Sequence, residues 1–130
     1  GGAWAWGAEA VDMGTRFMAT TECGAHENLK RAIVEAGEAS TVLLPATLGA
    51  MRALRNSMTE RCREMQASGL PAREITDFYH SRYLRGMLEG DIEAGNVVCG
   101  AACAFVTRVQ GAADVVREVV EQADQVVAGL

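Results

Sequence analysis

The sequence predicts a mainly helical α/β chain organised around one strand–turn–helix junction. Three observations carry this. A short apolar strand, Glu9 to Met13, follows the turn signal Gly7-Ala8 and stops at Gly14-Thr15. Apolar residues then recur at helical spacing over most of the chain. A valine-rich amphipathic helix closes it, from about Ala112 to Ala128. A strand that stops at Gly-Thr and feeds a helix gathers free backbone N–H groups and a positive helix end at one point, which suits an anion. Gly14 has no Cβ, so an anion can approach the main chain. Thr15 offers a hydroxyl donor and a helix cap.

Composition narrows the partners. The 130 residues suffice for one ordinary domain, and 49% apolar residues can fill its core. Charged residues make up 22%, close to average, which argues against disorder. The net charge is −5 and nothing basic clusters on one face, which argues against nucleic acid. The apolar runs are far shorter than a membrane span, and no signal peptide precedes them. The four cysteines, Cys23, Cys62, Cys99 and Cys103, form no CxxC pair, so an intracellular, cytoplasmic, reduced chain is the simplest reading. The first residues, Gly1 to Trp6, read as the end of a helix whose beginning is missing, and the expectation is a fragment of a larger protein.

Ala25 to Ala36 is the first clear helix, with Leu29, Ala32, Ile33 and Ala36 on one side and Gly37 as the stop. Ser40 to Leu48 is β-branched and apolar but contains Pro45, which excludes a central strand, so it reads as an irregular or extended connection. From Gly49, Met51, Leu54, Met58, Cys62 and Met65 form a stripe of a long helix that ends at Ser68-Gly69. Pro71 suits the first turn of another helix. Ile75, Phe78, Tyr79, Tyr83, Leu84 and Met87 give that helix its buried side, up to Gly90-Asp91. Gly95 to Val109 is small and apolar, which allows close approach of a partner element or a ligand.

Gly7-Ala8-Glu9-Ala10-Val11-Asp12-Met13-Gly14-Thr15-Arg16-Phe17-Met18-Ala19-Thr20, then Glu22-Cys23 and His26, resembles the C-terminal part of the nitronate monooxygenase family. Arg55-Asn56, Gly90-Asp91, Gly95 and Gly100 continue the resemblance into the last helix. The resemblance implies FMN enzymes on a TIM (β/α)8 barrel with an α-helical substrate-covering domain. It covers essentially this whole chain but only the last third or so of a member. The phosphate site of such a barrel lies after strands seven and eight. Strand eight would then end at Asp12 to Met13, and Asp12, Met13, Gly14 and Thr15 would bind the flavin phosphate. This chain has Asp12 where members often carry Gln or Asn, and Cys103-Ala104 where they often carry a Gln followed by Gly.

The resemblance implies residues 1–24 as the last βα unit, 25–106 as the helical covering domain and 107–130 as the helix returning to the barrel. The implied reaction is oxidative denitrification of alkyl nitronates with O2. An NAD(P)H-dependent quinone or enoyl reductase on the same barrel is the alternative, and a non-catalytic truncated helical module is another. The family's catalytic histidine is expected upstream, so the fragment alone would be inactive and would need the missing N-terminal barrel. His26 and His80 read as structural or surface residues. Tyr79 and Tyr83, one turn apart, could face substrate or pack between helices. Cys99 and Cys103, four apart on a helix, could offer two thiolates to a metal, but nothing completes the ligand set and they read as buried small residues. Arg16 could reach a phosphate or pair with Glu22 or another carboxylate.

Overall fold

A computed structural model describes residues 7, 10–47 and 50–129. The expectations for Gly1 to Trp6, for Glu9 and for the helix start at Gly49 fall outside these residues. The described helices are α1 (Thr15–Met18), α2 (Glu27–Glu35), α3 (Ser57–Ala67), α4 (Ala72–His80), α5 (Tyr83–Met87) and α6 (Ala112–Ala128). Two strands, β1 (Thr41–Pro45) and β2 (Ala50–Leu54), sit between α2 and α3, and a 3-10 turn spans Ala101–Phe105. Helix α6 has the bounds expected from its periodicity. Ala10 to Met13, expected as a strand, form none. A strand exists only through its ladder, and no described residue pairs with this one.

The irregular or extended connection expected at 40–48 contains one arm of a hairpin, the strand β1. β1 pairs antiparallel with β2, from Thr41 opposite Leu54 to Pro45 opposite Ala50. Pro45 is tolerated because it takes the last rung of the ladder, on the edge strand β1. β2 therefore takes the residues expected to begin the long helix. That helix starts only at Ser57, because Asn56 builds a capping box there. The Asn56 side chain accepts from the Thr59 N–H at 3.0 Å, and the Asn56 N–H donates to Thr59 Oγ1 at 2.9 Å. His26 starts α2 in a similar way, its Nδ1 accepting from the Asn28 N–H at 3.1 Å. It holds the structural role expected of it.

The single helix expected from Pro71 to Gly90 is broken at Ser81-Arg82 into α4 and α5. The reason is tertiary. The Arg82 carbonyl accepts from the Asn96 N–H at 2.9 Å as well as from the Gly86 N–H at 3.1 Å. The 95–96 backbone therefore lies directly on α5. A Cβ on Gly86 would sit 2.4 Å from the Asn96 carbonyl oxygen, and one on Gly95 would sit 2.4 Å from the Gly86 Cα. Two residues without Cβ are what lets these backbones touch.

Two apolar clusters result. Leu44, Met58, Cys62, Ile75 and Tyr79 join the hairpin to α3 and α4. Leu29, Ile33, Leu54, Val97, Cys99 and Cys103 join α2, the end of β2 and the stretch before the 3-10 turn. Val97 to Cys99 runs beside β2, with the Leu54 N–H donating to the Val97 carbonyl at 2.9 Å and the Cys99 N–H to the Arg52 carbonyl at 3.1 Å. Of the valines expected to be buried along α6, Val115 is buried, but Val116, Val120, Val126 and Val127 are exposed. They lie off the row that faces α1.

α6 is fastened to the segment after α1. Thr20 bridges Gln110 in parallel, and the Thr21 N–H donates to the Gln110 carbonyl at 3.1 Å. Glu22 Oε2 accepts from the Ala112 N–H at 2.9 Å and so caps α6 from another part of the chain. That backbone bond, with the Thr21 hydroxyl second, holds the Glu22 carboxyl below its usual value of 4.5.

The contact at Gly86 makes Gly86→Ala destabilising by about 3 kcal/mol, the upper range for overpacking, because backbone must move. Gly24→Ala, with nothing within 4 Å of the added Cβ, stays within about 0.5 kcal/mol of the parent. Urea midpoints of the two variants decide it, and equal midpoints would contradict the packing described.

Glu22 gives a pH dependence with a definite sign. Its folded-state pKa is depressed, so its ionic contribution is complete above the unfolded value near 4.5 and is lost as pH falls through the folded value. The stability gap between the parent and Glu22→Gln is therefore full at neutral pH and closes in acid. Denaturation at a series of pH values reads this, and a gap that widens in acid would show the sign to be wrong.

Candidate functional site

Met13 leads into α1, and Gly14 is the residue before its first turn. The Gly14 carbonyl accepts from the Phe17 N–H at 3.0 Å and the Met18 N–H at 3.2 Å. Among the described residues no acceptor meets the N–H groups of Gly14, Thr15 or Arg16. Gly14 has φ −84°, an ordinary conformation for any residue, so glycine is not needed here for backbone freedom. What matters is space: a Cβ on Gly14 would meet nothing within 4 Å. Helix α1 is one turn long, so its macrodipole is small, and the attraction for an anion comes from the individual N–H groups.

Thr15 does not cap α1; Gly14 stands at the cap position with no side-chain bond. The Thr15 hydroxyl oxygen instead accepts from the Gly100 N–H at 2.8 Å. That bond joins the turn to a segment far away in sequence, and the space between them is a groove of about 730 Å³, within the size range of small-molecule and cofactor sites. Asp12 to Arg16 form its floor. Gly100, Ala101, Ala102 and Phe105 form one wall, and Val115, Glu118 and Val119 of α6 form another. Asp12, Met13, Gly14 and Thr15, singled out in the sequence, thus lie together on one groove. The small-residue composition of 95–109 pointed to the first wall. The second wall, and Phe105 with 81% of its surface exposed, had no sequence signal beyond the period of α6.

Arg16 is committed elsewhere. Its guanidinium lies 3.9 Å from the Glu118 carboxylate and donates to the Arg108 carbonyl at 3.5 Å. Arg108 in turn pairs with Glu118, and its Nε donates to Gln110 Oε1 at 2.5 Å. Glu22, the partner named in the sequence for Arg16, is occupied by the α6 cap.

The two tyrosines part company. Tyr79 is 1% exposed, packed in the hairpin cluster with its ring edge-on to His80 at 4.9 Å, and its hydroxyl is 3.4 Å from Thr76 Oγ1. Its surface is spent on packing among the described residues. Tyr83 is 43% exposed. Cys99 precedes the 3-10 turn and Cys103 lies on it, so the pair is not carried on an α-helix as expected. Burial, then the neighbouring Cys103, pushes the Cys99 thiol up to about 12. That opposes the thiolate state that binds metals. Among the described residues no three His, Cys, Asp or Glu side chains gather as metal ligands. No described helix is long and apolar enough to cross a membrane.

Two structures of FabK are among the solved structures similar to the chain. One is FabK from Thermotoga maritima, at 29% identity and a TM-score of 0.87, over 98% of this chain and 40% of that one. The other is the M276A mutant of FabK from the same organism, at 26% identity and a TM-score of 0.80, over 98% of this chain and 38% of that one. The chain thus spans about two fifths of the length of the proteins it matches, and its fold is that of part of a TIM-barrel enzyme. The profile of the nitronate monooxygenase family, a family of FMN-dependent oxidoreductases, matches residues 2–122. The chain belongs to the nitronate monooxygenase family.

Proposed function

We propose that this chain supplies the FMN phosphate site and the substrate-covering helices of a flavin-dependent oxidoreductase, a nitronate monooxygenase that denitrifies alkyl nitronates with O2 in the cytoplasm. The reading rests above all on the open space in front of Gly14, where three N–H groups with no acceptor among the described residues and a groove of cofactor size meet. Residues 1–24 act as the last βα unit, 25–106 as the covering helices and 107–130 as the helix that returns to the barrel. The catalytic base comes from upstream segments, so this chain is inactive alone.

The residues present fit the cofactor. Bound FMN supplies the redox chemistry; the chain binds and orients it. The N–H groups of Gly14, Thr15 and Arg16 hold the phosphate, with Met13 and Asp12 shaping the approach. Asp12 contributes its backbone, since its carboxylate would repel a phosphate at close range. Ala101, Ala102 and Phe105 exclude water from the opposite side. Tyr83 lies on the covering helices, where substrate enters.

A second reading is an NAD(P)H-dependent quinone or enoyl reductase on the same barrel. It is favoured by one observation: two of the similar solved structures are of FabK. Steady-state assays with a nitronate under O2, and with NADH and a quinone, separate the two in a complete barrel that carries this chain.

The phosphate placement predicts the order of three variants in that complete barrel, read by FMN fluorescence quenching. Gly14→Val fills the approach and deprives a phosphate of main-chain donors that need to come within about 2.9 Å. Charged hydrogen bonds run about 1.5–3 kcal/mol each, so two lost donors weaken binding on the order of a hundredfold. The fold is untouched, because the Val side chain enters open space at an ordinary φ. Arg16→Ala removes a partner of Glu118 and costs about 1 kcal/mol or less of affinity. Thr15→Ala falls between, since it keeps its N–H and loses the tie to Gly100. If Arg16→Ala binds worst and Gly14→Val binds normally, side chains hold the phosphate and the placement is wrong.

A further inference from the structure

Cys99 and Cys103 bracket three residues of the groove wall, Gly100, Ala101 and Ala102. Both thiols are buried in the same apolar cluster, four residues apart on either side of that loop. Each S–H points back into the loop between them. Cys99 Sγ donates to the Gly100 carbonyl at 3.6 Å, and Cys103 Sγ to the Ala101 carbonyl at 3.8 Å. The Gly100 N–H is the one bound by Thr15. One short loop is therefore fastened to two thiols on one side and to the α1 turn on the other.

We propose that Cys99 and Cys103 form a reversible dithiol–disulfide pair whose redox state shapes this wall of the groove. The oxidant is a low-molecular-weight disulfide or an azodicarboxamide. The two thiols give up two protons and two electrons, and a bond forms between the two Sγ atoms. The oxidant's S–S bond breaks to two thiols, or its N=N bond is reduced to a hydrazine. Oxidation removes both S–H donors, leaves the Gly100 carbonyl with the Cys103 N–H alone and closes the loop into a covalent ring. Burial keeps Cys99 protonated, so the exchange is slow and answers a sustained change in redox poise. In a reducing compartment the pair rests as thiols, as all four cysteines do here.

Peptide mass mapping tests the pair on the chain itself. The chain is treated with diamide, unfolded, alkylated and digested with trypsin. The peptide from Gly86 to Arg108 contains both cysteines and neither of the others. It is expected to be lighter by two hydrogens and to take up no alkyl group, and dithiothreitol is expected to restore two alkylation sites. In Cys103→Ser the same peptide takes up one alkyl group and loses no hydrogens. A peptide that takes up two alkyl groups while Cys23 is oxidised, or one joined to Cys23 or Cys62, would overturn the proposal.

The effect on the groove rests on the FMN reading above and has a separate readout. In the complete barrel, oxidation weakens FMN binding about tenfold, the scale of one lost hydrogen bond, in the parent and not in Cys103→Ser. A closed pair with unmoved FMN affinity overturns the coupling to the groove. Absence of FMN binding in both redox states overturns the flavin reading and leaves the mapping result standing.

Discussion

Asn56 is the residue on which the positions of the other parts depend. Its backbone and side-chain oxygen are bound reciprocally to Thr59 at the start of α3. Its amide nitrogen is left with two protons, which go to the Ile92 carbonyl at 2.7 Å and the Gly95 carbonyl at 2.8 Å. One side chain thus fixes where a helix begins and where a loop some forty residues later must lie. With that loop fixed, Gly95 meets Gly86, α4 and α5 separate, and Val97 to Cys99 runs beside β2. The chain that leaves β2's flank arrives at Gly100 in position to meet Thr15. Half-buried amides of this sort carry more than their own bond energies, because a partner left unpaired out of water would be costly.

The groove therefore has no wall of its own making. Its floor is the turn at Asp12 to Arg16, one side is delivered by the Asn56 tie, and the other by α6 through Glu22 and Gln110. Charged groups on that side serve each other: Arg16, Arg108 and Glu118 form a partly exposed network. Such a network orients α6 more than it stabilises it. It also leaves main-chain N–H groups, rather than guanidinium groups, as the donors at the floor with no partner among the described residues.

What the sequence disclosed follows the range of the forces involved. Helix α6 was legible to its ends because its signal is local and repeated over several turns. The floor of the groove was legible because Gly14-Thr15 after an apolar stretch is a local signal too. The hairpin was misread because Met51 and Leu54 also fit the helical stripe of Met58, Cys62 and Met65, and Pro45 spoke against a strand. The better signal was the Asn56-x-x-Thr59 spacing, which fixes the helix start downstream of both. The break between α4 and α5 had no local signal, since the Asn96 N–H that takes the Arg82 carbonyl comes from elsewhere in the chain. Tyr79 and Tyr83 share a helical spacing, yet the break and the hairpin cluster bury one and leave the other exposed. Arg16 meets Glu118 because α6 docks beside α1, and Glu22 is drawn away by the end of that same helix.

The bond between Thr15 and Gly100 spans 85 residues of sequence. Contacts of such separation form late, because the entropy of closing a long loop is spent before the contact returns anything. The hairpin with α3 and α4 is local and can form on its own schedule, whereas the groove exists only once both ends of the chain have been gathered. A ligand that needs the groove binds only the gathered state and stabilises it by mass action. Occupancy of the site and completion of the fold are thus thermodynamically linked in this chain.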